Sequence, residues 1–390
     1  MNVGANMNKN TTTNTNTNTD TTTNDISTMT YGFIGLGLIG ASIAKALRRV
    51  HPNCTIVAFN RSENARTMAY NDGVANIVTG QIDSSFSDCD YIFLCTPVEY
   101  NCQYLESLKD IIKPSCIITD VGSVKANIHE TVIKLGMEAN FIGGHPMAGS
   151  EKTGYENATD RLLENAFYAI TPTSFTTDDK LAEYKTIVES IGAISVILDY
   201  NDHDYTVAGV SHLPHIIASE LVNLVKNSDS DAGYMKLMAA GGFKDITRIA
   251  SSSPKMWEQI CMTNTDNLIT MLNDYIDMLR HVKDRLVARD GAFINQMFTE
   301  SRAYRDQFAD RSSSAILSTF RLYVDIADEI GALSNVVALL SSHGLNIKNL
   351  QIENNRENEE GVLSIKFSDN QTLDAASKLL TEAGYNVYIR

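Results

Sequence analysis

A glycine-rich segment near the start of the chain places the strongest constraint on its fold. This segment, Gly35-Leu36-Gly37-Leu38-Ile39-Gly40, follows a predicted strand at 31–35 and opens a predicted helix with the sequence ASIAKALRRV. In this setting the first glycine permits a tight turn, the second lets a pyrophosphate approach, and the third lets helix pack closely on strand. The helix N-terminus adds amide donors and a favourable dipole. The segment therefore predicts a dinucleotide-binding site.

Short β-branched runs alternate with helical patterns from Tyr31 to about Thr173. The predicted strands are 31–35, 55–60, 90–95, 116–120, 140–142 and 167–171. Such alternation is typical of βαβ units that build a parallel sheet. We therefore expect an α/β fold with a Rossmann-type dinucleotide-binding domain over 29–173.

The pattern changes after residue 174, and residues 203–290 show helical periodicity with almost no strand signal. Apolar positions at steps of three or four would form one stripe, made of Trp257, Ile260, Cys261, Asn264, Leu268, Met271, Tyr275, Met278 and Val282. Wide apolar helix faces indicate that this region also buries a subunit partner. We expect an all-helical substrate and dimerisation domain over 174–311, and a homodimer.

A third unit is predicted after Ser312-Ser313-Ser314, which we interpret as a linker. Its pattern is a strand at 318–327, a helix at 331–343, strands at 346–353 and 361–367, a helix at 372–383 and a strand at 385–389. The order βαββαβ predicts a ferredoxin-like layer over 315–390. An RNA-binding module shares this topology, but the segment carries six basic and ten acidic residues and lacks the aromatic RNP pattern.

The composition limits the classes of protein to which this chain can belong. A chain of 390 residues with 43% hydrophobic and 20% charged residues can fill two or three domains. The net charge of −15 argues against nucleic acid as a partner. No apolar run reaches the roughly 18 residues that a membrane helix needs. The Asn/Thr-rich residues 1–28 predict a disordered tail without the apolar core of an export signal.

The six cysteines are scattered, without CxxC spacing, and lie mostly in apolar runs. This pattern is typical of reduced thiols in a cytoplasmic protein. His212 and His215 have a spacing that suits a metal, but no third ligand accompanies them. We therefore expect no metal.

The second predicted strand ends in Asn60-Arg61-Ser62, where an acidic residue commonly accepts the adenine ribose hydroxyls of NAD. Arg61 at this place can pair with the 2′-phosphate of NADP. The alternative is a solvated arginine, with Asn60 bonding the ribose of NAD. We expect NAD or NADP at these three residues, with a slight lean towards NADP.

Three further segments follow strand ends, where open parallel sheets bind ligands. They are Thr96-Pro97, Asp120 to Lys125 and Gly143 to Glu151. His145, bracketed by glycine and proline, suits a general base beside a nicotinamide, and the alternative is a hydrogen-bonded structural histidine.

A fourth segment, Ser211-His212-Leu213-Pro214-His215, predicts a helix start with one histidine facing the pocket and one packing. In the segment 241–248, Arg248 suits bidentate binding of a carboxylate, with Lys244 beside it and Asp245 to orient it. A surface ion pair is an equally good interpretation of these charges.

In that order, GLGLIGAS, DVGSVK, GGHPMAGSEKTG, VSHLPH and GGFKDITRIA resemble the prephenate dehydrogenase family, which includes arogenate and cyclohexadienyl dehydrogenases. The resemblance covers residues 31 to about 290. It implies NAD(P)-dependent oxidative decarboxylation of prephenate to 4-hydroxyphenylpyruvate in tyrosine biosynthesis, with arogenate as the alternative substrate. It further implies His145 as catalytic base, Ser123 as support for the substrate hydroxyl, Arg248 as carboxylate anchor, and Glu151, His212 and Lys244 as pocket residues.

The C-terminal unit resembles an ACT domain, which implies binding of an amino acid and feedback inhibition by tyrosine. The residues implied are Asp328, Gly331, Ala332, Leu333, Asn346 and Ile347. A merely structural or dimerising role is the alternative. Two other functions stay open for the whole chain: a 3-hydroxyacid-type dehydrogenase with a lysine acid/base, and a non-catalytic sensor of NAD(P) and an amino acid.

Overall fold

A parallel sheet forms the first part of the fold. The computed structural model describes residues 25–149, 152–314, 320–327, 329–354, 360–367 and 369–388. Its first elements are β1 (Thr30–Ile34), α1 (Leu38–Val50), β2 (Thr55–Phe59), α2 (Glu63–Asn71), β3 (Ile77–Thr79), β4 (Tyr91–Leu94), α3 (Val98–Lys109), β5 (Ile117–Asp120) and α4 (Ala126–Leu135). The strands pair in parallel in the order β3-β2-β1-β4-β5. The predicted Rossmann-type α/β fold is thereby confirmed.

The strands of this sheet are apolar on both faces because helices cover both faces. Tyr31 and Phe33 point into one core, where Phe33 stacks on Phe93 with ring centroids 5.1 Å apart. Ile34 and Leu94 point into the other core. Each such buried side chain stabilises the fold by about 1.5–3 kcal/mol relative to exposure.

A second, three-stranded sheet follows. It comprises β6 (Ile142–Pro146), β7 (Phe167–Pro172) and, after α5 (Asp178–Ser190), β8 (Ile194–Ile197), in the order β6-β7-β8. The prediction that 140–142 and 167–171 continue the parallel sheet is wrong, because β6 and β7 are antiparallel. The described residues of the connection between them contain one short 3₁₀ turn and no α-helix of the kind that usually joins parallel strands. A single bridge between Ile118 and Phe141 links the two sheets.

Helices then continue to residue 314. They are α6 (Tyr200–Val207), a π-helical turn (Ala208–His212), α7 (Leu213–Ser228), α8 (Tyr234–Met238), α9 (Gly241–Thr247), α10 (Pro254–Thr263), α11 (Thr265–Val287) and α12 (Gly291–Ser314). The helical pattern predicted over 203–290 is confirmed, although β8 extends the strand pattern beyond Thr173. The predicted linker Ser312-Ser313-Ser314 is helical and belongs to α12; serine is tolerated in a helix. No helix among the described residues has the length and apolarity that a membrane crossing demands.

The C-terminal elements form an antiparallel sheet with two helices. They are β9 (Arg321–Ala327), α13 (Ala332–Ser342), β10 (Asn349–Asn354), β11 (Glu360–Lys366), α14 (Asn370–Glu382) and β12 (Val387–Tyr388). The sheet order β10-β11-β9-β12 confirms the predicted ferredoxin-like layer. The chain divides into two compact units within α11, between Asp277 and Met278. Each unit has a core of its own.

Candidate functional site

The glycine loop lies between β1 and α1, as the motif predicts. Gly35 has a φ of +107°, which a side chain would strain. A Cβ at Gly35 would lie 2.8 Å from the carbonyl oxygen of Cys95, and one at Gly40 would collide with the carbonyl oxygen of Gly35. At Gly37, by contrast, a Cβ would meet no atom within 4 Å. The loop is therefore packed against the protein at its ends and open in the middle, beside the start of α1. This shape suits a pyrophosphate.

The end of β2 contacts this loop. The side-chain oxygen of Asn60 accepts a hydrogen bond from the backbone N–H of Leu36 at 3.1 Å. Arg61 is exposed, with its guanidinium carbon 5.1 Å from the centroid of the Tyr100 ring. Ser62 caps α2 by accepting from the N–H of Ala65. The cation of Arg61 is therefore held on an aromatic face at the edge where an adenosine ribose would lie.

Thr96 and Pro97 lie after β4, on the next strand of the sheet. The hydroxyl of Thr96 donates to the side-chain oxygen of buried Asn101, and Pro97 begins α3 as its N-cap. Leu36 is buried, and Ile39 packs against the first core. These side chains shape the glycine loop. The groups that the loop presents to a ligand are those of its backbone.

His145 lies on β6 and is buried, with 8% of its surface exposed. Its Nδ1 is 2.8 Å from Nε2 of His203, and Nδ1 of His203 is 2.8 Å from Oδ1 of Asp204. Both partners lie on α6 and are buried. Burial, followed by the neighbouring His203, lowers the pKa of His145 well below its usual value. His145 is therefore neutral at neutral pH, as a proton acceptor must be.

Asp204 is also anchored by backbone groups at the start of α4. Its two carboxylate oxygens accept hydrogen bonds at 2.8 Å from the backbone N–H groups of Lys125 and Ala126, at the start of α4. A carboxylate is stabilised at a helix N-terminus by these donors and by the helix dipole. Asp204 thereby joins α6 to the loop that follows β5.

A buried ion pair holds this loop against β6. The Lys125 ammonium, with 0% of its surface exposed, contacts the Asp120 carboxylate and donates to the carbonyl oxygen of Gly144 at 2.8 Å. Asp120 also accepts from the N–H groups of Gly122 at 2.9 Å and Gly144 at 3.2 Å. Burial lowers the pKa of Lys125, and Asp120 opposes that shift. Ser123 lies in this loop, half-buried, between Gly122 and Lys125.

A third histidine, His212, joins the network through an amide. The side-chain nitrogen of Asn264 donates to the carbonyl oxygen of Asp204 at 2.8 Å and lies 3.1 Å from Nδ1 of His212. Asn264 was predicted as part of an apolar stripe, but it is a buried polar junction between α10 and α11. Burial lowers the pKa of His212 to about 4. The amide orients His212, because neutral imidazole with Nδ1 accepting carries its proton on Nε2.

A cavity of about 280 Å³ lies beside the two histidines, lined by α7, α10 and residues 249–252. The ring of His215 stacks on Trp257 at 3.7 Å between centroids, and His212 meets Trp257 edge-on at 5.9 Å. His215 lines the cavity, whereas His212, the histidine predicted as a pocket residue, is buried. The Trp257 Nε1 group is buried without a hydrogen-bond partner among the described residues.

The predicted charged residues are not brought to His145. Arg248 is exposed at the end of α9, close enough to His215 to lower its pKa after the larger effect of burial. Lys244 and Asp245 are exposed on α9. Glu151 lies outside the described residues. Sequence reasoning missed His203, Asp204 and Asn264; their segments match no motif, and only the fold brings them to His145 or His212.

The predicted regulatory residues lie where β9 leads into α13 and where α13 leads into β10. Gly331, with a φ of +98°, is the N-cap of α13. Ala332, Leu333 and Ile347 pack against the core of the C-terminal unit, whereas Asn346 is exposed. Asp328 lies outside the described residues. Backbone groups of Gly331 and the side chain of Asn346 are polar groups available there.

Comparison with known proteins agrees with this geometry. The family model for the prephenate dehydrogenase nucleotide-binding domain matches residues 43–197, and that for the prephenate dehydrogenase dimerization domain matches residues 199–300. Prephenate dehydrogenase of Bacillus subtilis is 34% identical over 357 residues, which cover 91% of this chain and 96% of that protein.

Two solved structures each resemble 72% of the chain. Aquifex aeolicus prephenate dehydrogenase, in complex with hydroxyphenyl propionate and NAD+, has a TM-score of 0.68 and 30% identity, covering 72% of this chain and 98% of its own. Synechocystis arogenate dehydrogenase has a TM-score of 0.65 and 30% identity, covering 72% of this chain and 100% of its own.

Proposed function

The chain belongs to the prephenate dehydrogenase family, and we propose that it oxidises and decarboxylates prephenate to 4-hydroxyphenylpyruvate. The observation that carries this proposal is the buried, neutral His145 at the ligand edge of the dinucleotide-binding region. A neutral imidazole there can take the proton of a substrate hydroxyl while the adjacent hydrogen leaves as hydride.

Beyond this base, the reaction requires few further groups of the protein. A bound nicotinamide dinucleotide supplies the hydride acceptor. His145 takes the proton of the C4 hydroxyl as the C4 hydrogen leaves with its electron pair. The ring carbon then becomes a ketone, the bond to the ring carboxylate breaks, and its electrons complete the aromatic ring as CO₂ departs. The oxygen regains a proton to become a phenol. Ser123, in the adjacent loop, supports the hydroxyl.

We place the carboxylate groups of the substrate near the cavity that α7 and α10 line. Prephenate carries two carboxylates, and Arg248, beside this cavity, is our candidate anchor for one of them. His212, in the π-helical turn before α7, and Lys244 and Asp245, on α9, complete the candidate set together with Glu151. Arogenate differs only by an amino group in place of the keto group, and it is the alternative substrate to test.

The cofactor is NAD or NADP, and Arg61 is the residue that distinguishes them. The glycine loop fits a dinucleotide pyrophosphate, and the Aquifex relative binds NAD+. Arg61, stacked on Tyr100, can pair with a 2′-phosphate. We expect Arg61→Ala to lower kcat/KM with NADP about 10-fold, as for a lost exposed charge pair, while kcat/KM with NAD stays within about twofold. Equal losses with both cofactors would remove Arg61 from this role.

A homodimer regulated by tyrosine completes the proposal. The match to a dimerization domain and the exposed apolar side chains of the helical region support association of two copies. The ferredoxin-like C-terminal unit fits an ACT domain that binds tyrosine near Gly331 and Asn346. Isothermal titration of tyrosine against the full chain and against Asn346→Ala tests this, since binding unaffected by the substitution would place tyrosine elsewhere.

Absorbance at 340 nm with prephenate, and in parallel with arogenate, tests the reaction itself. We expect reduction of the cofactor with prephenate, and a loss of about 10²–10⁴ in kcat for His145→Asn, the range for a missing general base. Asn keeps an amide nitrogen near the place of Nδ1 but cannot take up a proton. Near-normal turnover by this variant would exclude His145 as the base, and no turnover of either substrate by the wild type would reject the function.

A further inference from the structure

The hydrogen bonds behind His145 allow only one arrangement of protons if His203 is neutral. The Asp204 carboxylate can only accept, so Nδ1 of His203 must donate to it. Nε2 of a neutral His203 is then a bare acceptor, and Nδ1 of His145 must donate to it. His145 consequently carries its proton on Nδ1 and a lone pair on Nε2.

We propose that His203 and Asp204 are positioning residues that hold His145 in the tautomer with Nε2 unprotonated. The proposal rests on the proposed function only for what Nε2 does: it is the atom that takes the substrate proton. Without a partner at Nδ1, a neutral imidazole populates both tautomers, and one of them would point an N–H at the hydroxyl that must lose its proton.

The geometry makes this arrangement rigid. The two imidazole rings meet at 72° with centroids 5.0 Å apart, and all three side chains are buried. Asp204 is held by the N–H groups of Lys125 and Ala126, so it cannot rotate away from His203 without losing them. Asp204, the last residue of the network, is therefore fixed to the backbone of α4.

The network also prepares the site for the charge that follows proton uptake. When Nε2 of His145 gains a proton, the imidazolium donates through Nδ1 to His203, whose other nitrogen faces the Asp204 carboxylate. The buried Lys125 ammonium disfavours that charge, and Asp120 offsets Lys125. The charged state is stabilised while the proton is in transit, and the neutral state is favoured at rest.

The tautomer can be measured without turnover. Nitrogen NMR of the full chain labelled with ¹⁵N-histidine distinguishes protonated from bare ring nitrogens, and loss of signals in His145→Asn assigns those of His145. We expect Nδ1 protonated and Nε2 bare at pH 7.5. The opposite tautomer, or a mixture of the two, would overturn the proposal. This readout stands even if the wild type fails to oxidise prephenate, which would reject only the proposed function.

Variants then test whether the tautomer depends on the pair. We expect His203→Phe and Asp204→Asn each to lower kcat by about 10²–10⁴, with KM changed less than about threefold, and to mix the His145 tautomers. His203→Gln keeps an amide oxygen that can accept from Nδ1, so it should recover at least tenfold in kcat over His203→Phe. Equal kcat for the Gln and Phe variants would contradict a positioning role.

A matched control is the buried His129, which pairs with the Thr171 hydroxyl at 2.9 Å and takes no part in the network. His129→Phe should lower the melting temperature yet leave kcat within about twofold and the His145 tautomer unchanged. A comparable loss of kcat there would mean that any buried histidine substitution has this effect. If His203→Phe fails to fold, the NMR of the wild type and of His203→Gln still decides the question.

Discussion

The dinucleotide-binding region and the helical region bury apolar surface in very different ways. Residues 30–197 form two extensive cores, one on each face of the sheet. Among the described residues of the helical region, one small core contains buried Ala208, Leu213 and Leu268. Several of its apolar side chains are exposed, including Leu237 at 78% and Met238 at 77%. The first region stabilises itself, whereas the second needs a further surface to cover it, as a dimerisation domain does.

Part of the contact between these regions is polar, in contrast to both interiors. His145 meets His203, and the start of α4 meets Asp204. Polar contacts of this kind fix direction more than they add stability, because their net contribution is only about 0.5–1.5 kcal/mol each. The comparison therefore separates residues that stabilise the fold from residues that orient the chemistry.

The largest effect should come from breaking the ion pair inside the dinucleotide-binding region. Lys125→Met leaves the Asp120 carboxylate buried and unpaired, which costs about 3–5 kcal/mol of unfolding free energy. Urea unfolding measures this loss. The matched control is Lys185→Met, which breaks an exposed pair with Glu189 and should cost less than about 1 kcal/mol.

The loss of stability in Lys125→Met comes from the unpaired Asp120 carboxylate, so a second substitution that removes this charge should restore stability. In the double variant Lys125→Met/Asp120→Asn no charge remains buried, and we expect it to recover at least half of the loss. If Lys125→Met alone unfolds at the wild-type urea concentration, the ion pair contributes nothing and its role is confined to the site.

The next effect concerns the exposed apolar side chains. Ile269 on α11 and Ile133 on α4 are each 52% exposed. Ile269→Asp should raise the dissociation constant of the dimer about 100-fold, because a charge would be buried on association, whereas Ile133→Asp should leave it unchanged. Sedimentation velocity over a dilution series measures both. Identical behaviour of the two variants would show that Ile269 lies outside the interface.

The most gradual effect is a dependence of stability on acid, spread over several pH units. Burial lowers the pKa of both His129 and His212 from 6.5 to about 4. A group whose pKa is lower in the folded state binds its proton more readily when unfolded, so stability is full above pH 6.5 and falls between pH 6.5 and 4. The loss is at most about 1.4 kcal/mol per pH unit for each histidine.

One of these histidines lies on α4 of the dinucleotide-binding region and the other precedes α7 of the helical region. Melting temperatures between pH 7.5 and 4.5 should fall less steeply for His129→Phe than for the wild type. A slope that does not change in the variant would show that His129 does not contribute to acid unfolding.

The fold was predictable where local pattern and tertiary structure agree. The glycine loop has its required neighbours in sequence, so Gly35 and Gly40 could be placed between strand and helix. His145 could be placed at a strand end because glycine and proline bracket it. In each case the physical requirement is met within a few residues of the motif.

Features that depend on distant residues were not predictable. His203 is 58 positions from His145, and nothing in its own helix distinguishes it from a surface histidine. Asn264 occurs at the spacing of an apolar stripe, and only the fold shows that it bonds Asp204 and His212. The helical state of Ser312, Ser313 and Ser314 was likewise not predictable, because the helix propensity of serine is too weak to decide it.

The two glycines before His145 constrain how this gene can vary. A Cβ at Gly143 would collide with the Thr171 hydroxyl, and one at Gly144 would lie 2.7 Å from the Asp120 carbonyl oxygen. Every amino-acid-changing single-base mutation of a glycine codon introduces at least a Cβ. Neither glycine has a positive φ, so the intolerance comes from crowding on both faces of β6 and not from backbone conformation. In a library of random variants these two codons should be as depleted as that of His145 itself, although neither residue has a side chain to contribute to the reaction.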